Sequence, residues 1–211
     1  MKILYIGNHN QPNNDDEGAI TWGFRELGHT VTEVHENSNI ESIRQLDFSK
    51  FDFALFHKSS PHVIKEVSNH IDCVLWFFDG INKGFEFNDT YITEVKNYFT
   101  YMFFTDGDYV KDCNNSKIIS LKQGFDSRVI RRVDASNYTP QRCISFLGNI
   151  NHSGYNDRYN YCRAVKEKYD NLFICDLNFN MFKEKLTDYC QSTRILLAMP
   201  PVTDLYWSNR V

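Results

Sequence analysis

Two stretches of this chain follow one plan, and that plan limits what the chain can fold into. Lys2-Ile-Leu-Tyr-Ile-Gly-Asn-His9 and Ile144-Ser-Phe-Leu-Gly-Asn149 each read as a short buried strand running into a polar turn with glycine and asparagine. A helix follows each turn, near Gly18 in the first case and near Asn156 in the second. Strand, turn and helix together open a nucleotide-binding α/β domain. A glycine lets the backbone approach a phosphate, and the helix N-terminus favours the negative charge. Two such openings predict an α/β fold with two Rossmann-like domains facing each other across a cleft. The second half, Ile144 to Val211, is short for such a domain and reads as incomplete.

Between these openings the pattern alternates. Apolar runs predict strands over 2–7, 51–56, 73–78, 101–104 and 117–121, and the alternation of Val31 and Val34 with polar positions predicts one over 30–35. Helical spacing between them predicts helices over 18–27, 39–46, 61–69, 91–98 and 108–113, with Gly28 stopping the first and Pro61 in the first turn of the third. Near-continuous apolar strands separated by helices indicate a doubly wound parallel sheet. Residues 1–126 form the expected N-terminal domain and 127–143 a linker. The C-terminal part then reads as strand 144–147, helix 156–168, strand 172–176, helix 180–190 and strand 195–199. Open parallel sheets bind ligands beyond the carboxyl ends of their strands, so the loops there hold the candidate residues.

Composition narrows the function classes. A hydrophobic share of 42% suits a packed core, and a net charge of -4 argues against a globally basic nucleic-acid binder. No run approaches the ~20 apolar residues of a membrane helix, and the first residues enter a strand at once, so the expected location is cytoplasmic, without a membrane partner. The six cysteines have none of the close spacings that a zinc site uses, which predicts reduced thiols, several of them buried, and no metal. The 21 asparagines are what an A/T-rich gene encodes, as in many phages, where the compartment would be the host cytoplasm.

At Phe146-Leu-Gly-Asn149, Asp157-Arg158 and Trp207-Ser-Asn-Arg210 the sequence resembles the GT-B glycosyltransferases, and within them the CgeB-like branch of spore-maturation and phage proteins. Leu75-Trp-Phe-Phe-Asp-Gly80, Phe104-Thr-Asp-Gly107 and Lys122-Gln-Gly-Phe-Asp126 add to the likeness. The resemblance implies sugar transfer from a nucleotide-diphosphate sugar, a UDP-sugar first among them, to an acceptor hydroxyl on the N-terminal side. It implies neither a cofactor nor a metal. In the family, the Ser-x-Arg segment leads on to a glutamate and a glycine-rich turn that hold ribose and pyrophosphate. Those positions would follow Val211, so a second chain or a homo-oligomer is an expected way to complete the site. The alternative is a non-catalytic module that binds a nucleotide or a partner protein.

Sugar transfer needs donors for the departing diphosphate and a base for the acceptor hydroxyl. The expected donor site is the backbone around Gly148 and Asn149, with Arg158 and Arg210 as charge partners. Ser208 there either bonds a phosphate or caps a helix. For the base, His9 and Asp79 compete: one is a loop imidazole just past the first strand, the other a carboxylate after the most apolar strand. The acceptor-side candidates are Asp16, Lys58 and Asp106. His57 and Thr105 share those strand ends, and the Asp15-Asp16-Glu17 run reads as helix N-terminal charge or a sugar-hydroxyl site. Lys122, Arg128, Arg131 and Arg132, with Lys111 and Lys117, form the basic segment that could meet a DNA backbone. A hydroxymethylated pyrimidine in DNA is therefore a candidate acceptor, and a solvated linker is the bland reading of the same residues.

Overall fold

The computed structural model describes residues 1–9, 16–79, 81, 86–122, 124, 141–147, 156–169, 172–175 and 189–197, excluding the side chains of 86–87, 147, 156–158, 172–175 and 196. The chain divides into two compact units, Met1–Gln123 and Gly124–Val211. Both are α/β with parallel sheets.

In the first unit six strands run in the order β2-β1-β3-β4-β5-β6: β1 Lys2–Gly7, β2 Thr30–His35, β3 Phe53–Phe56, β4 Cys73–Phe77, β5 Tyr101–Phe104 and β6 Ile118–Ser120. All five pairings are parallel. Strand β1 lies between β2 and β3, and its residues 3–7 are buried on both faces, as its unbroken apolar run requires. One face carries Leu4, Ile6, Phe56, Leu75, Phe77 and Phe104 against Ile43 of α2 (Ile40–Arg44), Val63, Ile64 and Val67 of α3 (Pro61–Ser68), and Ile92 and Val95 of α4 (Glu86–Val95). The other packs Ile3, Tyr5, Val31 and Leu55 against Ile20 and Phe24 of α1 (Asp16–Glu26). Each fully buried phenylalanine contributes about 1.5–3 kcal/mol, so the three on strands β3, β4 and β5 form a large part of this core. Beyond α1 the second face is less covered: Tyr101, Ile119 and Leu121 are exposed.

Local chemistry explains most of the boundaries. Gly28 at φ 80° ends α1 in a conformation that other residues avoid. Asn39 accepts a bond from the Glu41 N–H at 3.0 Å and starts α2, while Pro61 opens α3, where its missing N–H costs nothing. Two helices begin earlier than the apolar pattern indicates. Helix α1 starts at Asp16 and α4 at Glu86, because acidic residues suit the positive end of a helix although they read as loop. Helix α5 (Gly107–Asp112) completes the unit.

The second unit holds a three-stranded sheet, β8-β7-β9, with β7 (Arg142–Leu147) central between β8 (Leu172–Cys175) and β9 (Thr193–Leu197). Helix α6 spans Asn156–Lys168, and its Cys162 and Val165 pack with Phe146, Ile144 and Leu197. Strand β7 starts inside the stretch read as linker, and β9 lies two residues before its expected place. Polar residues extend both: Arg142 pairs in register with Thr193, and the Ser145 and Thr193 hydroxyls meet at 3.0 Å across the pair. The helix expected over 180–190 falls mainly outside the described residues, of which 189–191 are helical.

Candidate active site at the carboxyl edge of the first sheet

The chain leaves β1 for β2 on one side and returns to β3 on the other, so the winding reverses between β1 and β3. A crevice opens at such a point beyond the strand ends. Asn8 and His9 follow β1, His57 and Lys58 follow β3, Asp79 lies just past β4, Thr105 and Asp106 follow β5, and Lys122 lies just past β6. Five loops thus bring polar residues to one edge of the sheet.

The innermost group is a carboxylate and an imidazole. Glu17, in the first turn of α1, is only 5% exposed, and its Oε1 lies 2.8 Å from His57 Nδ1. The same oxygen accepts the Asn8 N–H at 3.3 Å. Burial alone would raise the Glu17 carboxyl, but the hydrogen bond and charge of His57, with the backbone N–H groups of Glu17 and Asn8, hold it below its ordinary value of 4.5. An ionised carboxylate only accepts, so Nδ1 of His57 is the donor, and the neutral ring keeps its lone pair on Nε2. That atom is buried and has no hydrogen-bond partner among the described residues, while the ring rests on Phe78 at 4.2 Å between centroids. Gly7 makes room for the pair. A Cβ there would stand 3.0 Å from Glu17 Cγ and 3.3 Å from the Tyr5 ring.

The expected base residues are differently placed. His9 has Nε2 3.1 Å from the Tyr5 carbonyl, to which it donates, and its Nδ1 is buried without a partner among the described residues. Asp79 forms an ion pair with Lys58, whose ammonium lies 5.1 Å from the centroid of the Phe77 ring. Both side chains are more than a third exposed, at 38% and 45%, so the pair contributes about 0–1 kcal/mol. Asp16 is exposed in the first turn of α1.

Thr105 and Asp106 build the rim of the site. Asp106 is fully buried and accepts the N–H groups of Ile81 at 2.9 Å, Asp108 at 3.1 Å and Tyr109 at 3.2 Å. It caps α5 and ties down the loop after β4, so its carboxylate is committed to backbone rather than to an acceptor. The Thr105 hydroxyl donates to the Phe78 carbonyl at 2.6 Å, and Lys122 Nζ reaches the Thr105 carbonyl at 3.1 Å. The Tyr91 hydroxyl clamps the loop after β3, accepting from the Ser59 N–H at 3.1 Å and donating to the Ser59 carbonyl at 3.0 Å. Burial pushes this phenol up to about 12, so it stays protonated and keeps donating.

Gly148, Asn149, Ser208, Arg210, Arg128, Arg131 and Arg132 lie outside the described residues, as does the side chain of Arg158 in α6. Lys111, Lys117 and Lys122 are exposed. Among the described residues, Cys73 and Cys162 are buried, Cys143 is exposed, and no three His, Cys, Asp or Glu side chains gather as a metal site. No described helix is long and apolar enough to cross a membrane. An open cavity of about 410 Å³ lies around Lys96, Asn97, Tyr109, Cys113 and Lys117, at the opposite edge of the sheet from this polar cluster.

No protein-family model matches the chain, and no curated protein does. Among solved structures, MurG of Acinetobacter baumannii overlaps 92% of this chain and 72% of its own at a TM-score of 0.43 and 9% identity. The periplasmic binding protein of the arabinose ABC transporter from Shewanella sp. ANA-3 overlaps 83% of this chain and 54% of its own, at 0.34 and 11%. Both TM-scores lie below 0.5.

Proposed function

We propose that the chain is a glycosyltransferase of GT-B type, moving a sugar from a nucleoside-diphosphate sugar to an acceptor hydroxyl. The observation that carries this reading is the pairing of two parallel βα units in one chain. The carboxyl edge of the first is lined with Glu17, His57, Lys58, Asp79 and His9. Proton-transfer and charged groups at a reversal point suit an acceptor hydroxyl. Helix α6, thirteen residues long, has an N-terminal dipole that favours a diphosphate. In this reading the backbone at Gly148 and Asn149 and the side chains of Arg158, Ser208 and Arg210 hold the donor, a UDP-sugar, without a metal.

The test is release of UDP from a panel of UDP-sugars by the purified chain, followed by mass spectrometry of the acceptors. DNA carrying hydroxymethylated pyrimidines is the first acceptor to try. It would meet the exposed Lys111, Lys117 and Lys122 through its phosphates. UDP at a hundredfold excess over its Kd should stabilise the chain by about 2.7 kcal/mol, several degrees in Tm. Turnover with such a shift supports the reading. A shift without turnover replaces it with a nucleotide-binding module, and the absence of both overturns it.

A further inference from the structure

Resting on the glycosyl-transfer reading, we infer that His57 is the group that takes the acceptor proton, with Glu17 as the residue that positions it. Three imidazoles lie at the carboxyl ends of the strands, His9, His35 and His57, each with one nitrogen bonded and the other buried without a partner among the described residues. In His35 the bonded Nδ1 faces the Asn37 N–H at 3.1 Å, with no carboxylate behind it. What stands behind each ring separates them. His9 is held by the Tyr5 carbonyl, a neutral acceptor, at 3.1 Å. His57 is held by a carboxylate at 2.8 Å that is itself 5% exposed and kept ionised. When an imidazole takes a proton it becomes a cation. A fixed carboxylate on the far nitrogen stabilises that cation, and a bond with an ionised partner is roughly twice as strong as one between neutral groups. Only His57 has that support.

The surroundings are built for this state. Gly7 clears the space that the Glu17 side chain occupies, the Asn8 N–H holds the carboxylate oxygen, and Tyr91 fixes the loop that carries His57 through the backbone N–H and carbonyl of Ser59. Among the described residues, the ring bonds to Glu17 of α1 and rests on Phe78 of the loop after β4, and of these two Glu17 is the charged one. Lys58 and Asp79, which directly follow His57 and Phe78 in the chain, pair with each other. A buried ring nitrogen with no partner is costly, and a substrate hydroxyl supplies the missing bond.

The step balances without a further reactant. As the acceptor oxygen bonds to the anomeric carbon of the sugar, its proton passes to His57 Nε2. The bond from that carbon to the diphosphate oxygen breaks, and its electron pair leaves with the nucleoside diphosphate. The imidazolium then gives its proton to solvent.

His57→Gln retains an amide that can donate to Glu17, so it separates chemistry from folding. Turnover should fall about 100-fold to 10,000-fold, the usual range for a lost general base, with the UDP-induced Tm shift unchanged. Glu17→Gln should cut turnover less and move the acid limb of the pH–rate profile to lower pH, a displacement that a merely structural role would not produce. A folded His57→Gln chain that keeps turnover within threefold of the wild type overturns the assignment and leaves glycosyl transfer standing. A wild-type chain that releases no UDP overturns both. If His57→Gln does not fold, nitrogen-15 spectra of the wild-type neutral imidazole decide: a proton on Nδ1 supports the assignment, and a proton on Nε2 overturns it.

Discussion

Two adjacent residues at the end of β3 make opposite kinds of pair. His57 meets a carboxylate that water barely reaches, and Lys58 meets one that is nearly half exposed. On paper both are charge pairs at the same sheet edge. Their energetics differ because burial removes the screening that makes surface pairs weak, and also makes an abandoned partner costly. The inner pair therefore belongs to the frame and, on our reading, to the chemistry. The outer pair can open at little cost, which leaves Lys58 and Asp79 able to exchange each other for polar groups of a ligand.

The largest effect should come from taking the imidazole away altogether. His57→Leu leaves the Glu17 carboxylate buried without its partner, which costs about 3–5 kcal/mol, or roughly 10 °C or more in Tm. Thermal unfolding checks it, and a loss below about 1 kcal/mol would remove the contrast between the pairs. Next is acid sensitivity. The folded-state value of Glu17 lies below its ordinary 4.5, so its stabilisation is complete above that ordinary value and is lost as pH falls through the lowered one. Tm measured between pH 7 and pH 3 should fall more steeply for the wild type than for Glu17→Gln. Parallel curves would show that the carboxylate gains nothing from folding.

Tyr91→Phe should cost about 1–3 kcal/mol, because it leaves the backbone N–H and carbonyl of Ser59 without their hydroxyl partner. Denaturant unfolding measures that loss. The smallest effect is expected at the outer pair. Asp79→Asn should change stability by no more than about 1 kcal/mol, and a loss matching that of His57→Leu would mean the two pairs do not differ as their burial indicates.

The sheet was readable because its inner strands are apolar runs: Ile3–Ile6 is buried on both faces, and Cys73–Phe77 is buried on one and half-buried on the other. The strand ends were readable for the same reason, and with them most of the edge residues. Their roles were harder to read. Glu17 looks like ordinary helix N-terminal charge, and nothing local joins it to a histidine forty residues further on. The one trace is Gly7, a glycine ending a buried strand, where the close approach of another side chain explains the missing Cβ. Asp106 looked like a ligand-facing carboxylate, whereas Asp106-Gly-Asp-Tyr is also an N-cap followed by a helical turn, and the fold uses it so. In the second unit the apolar-run criterion missed Arg142 and Thr193, because strand pairing there continues through polar residues that bond across the sheet.

If this edge performs sugar transfer through the inner pair, UDP release depends on His57. The wild-type chain and folded His57→Gln should be compared on the same UDP-sugars. Turnover by the wild type with a loss of about 100-fold or more in the variant is the predicted result. Equal rates, or no release by either, would contradict it.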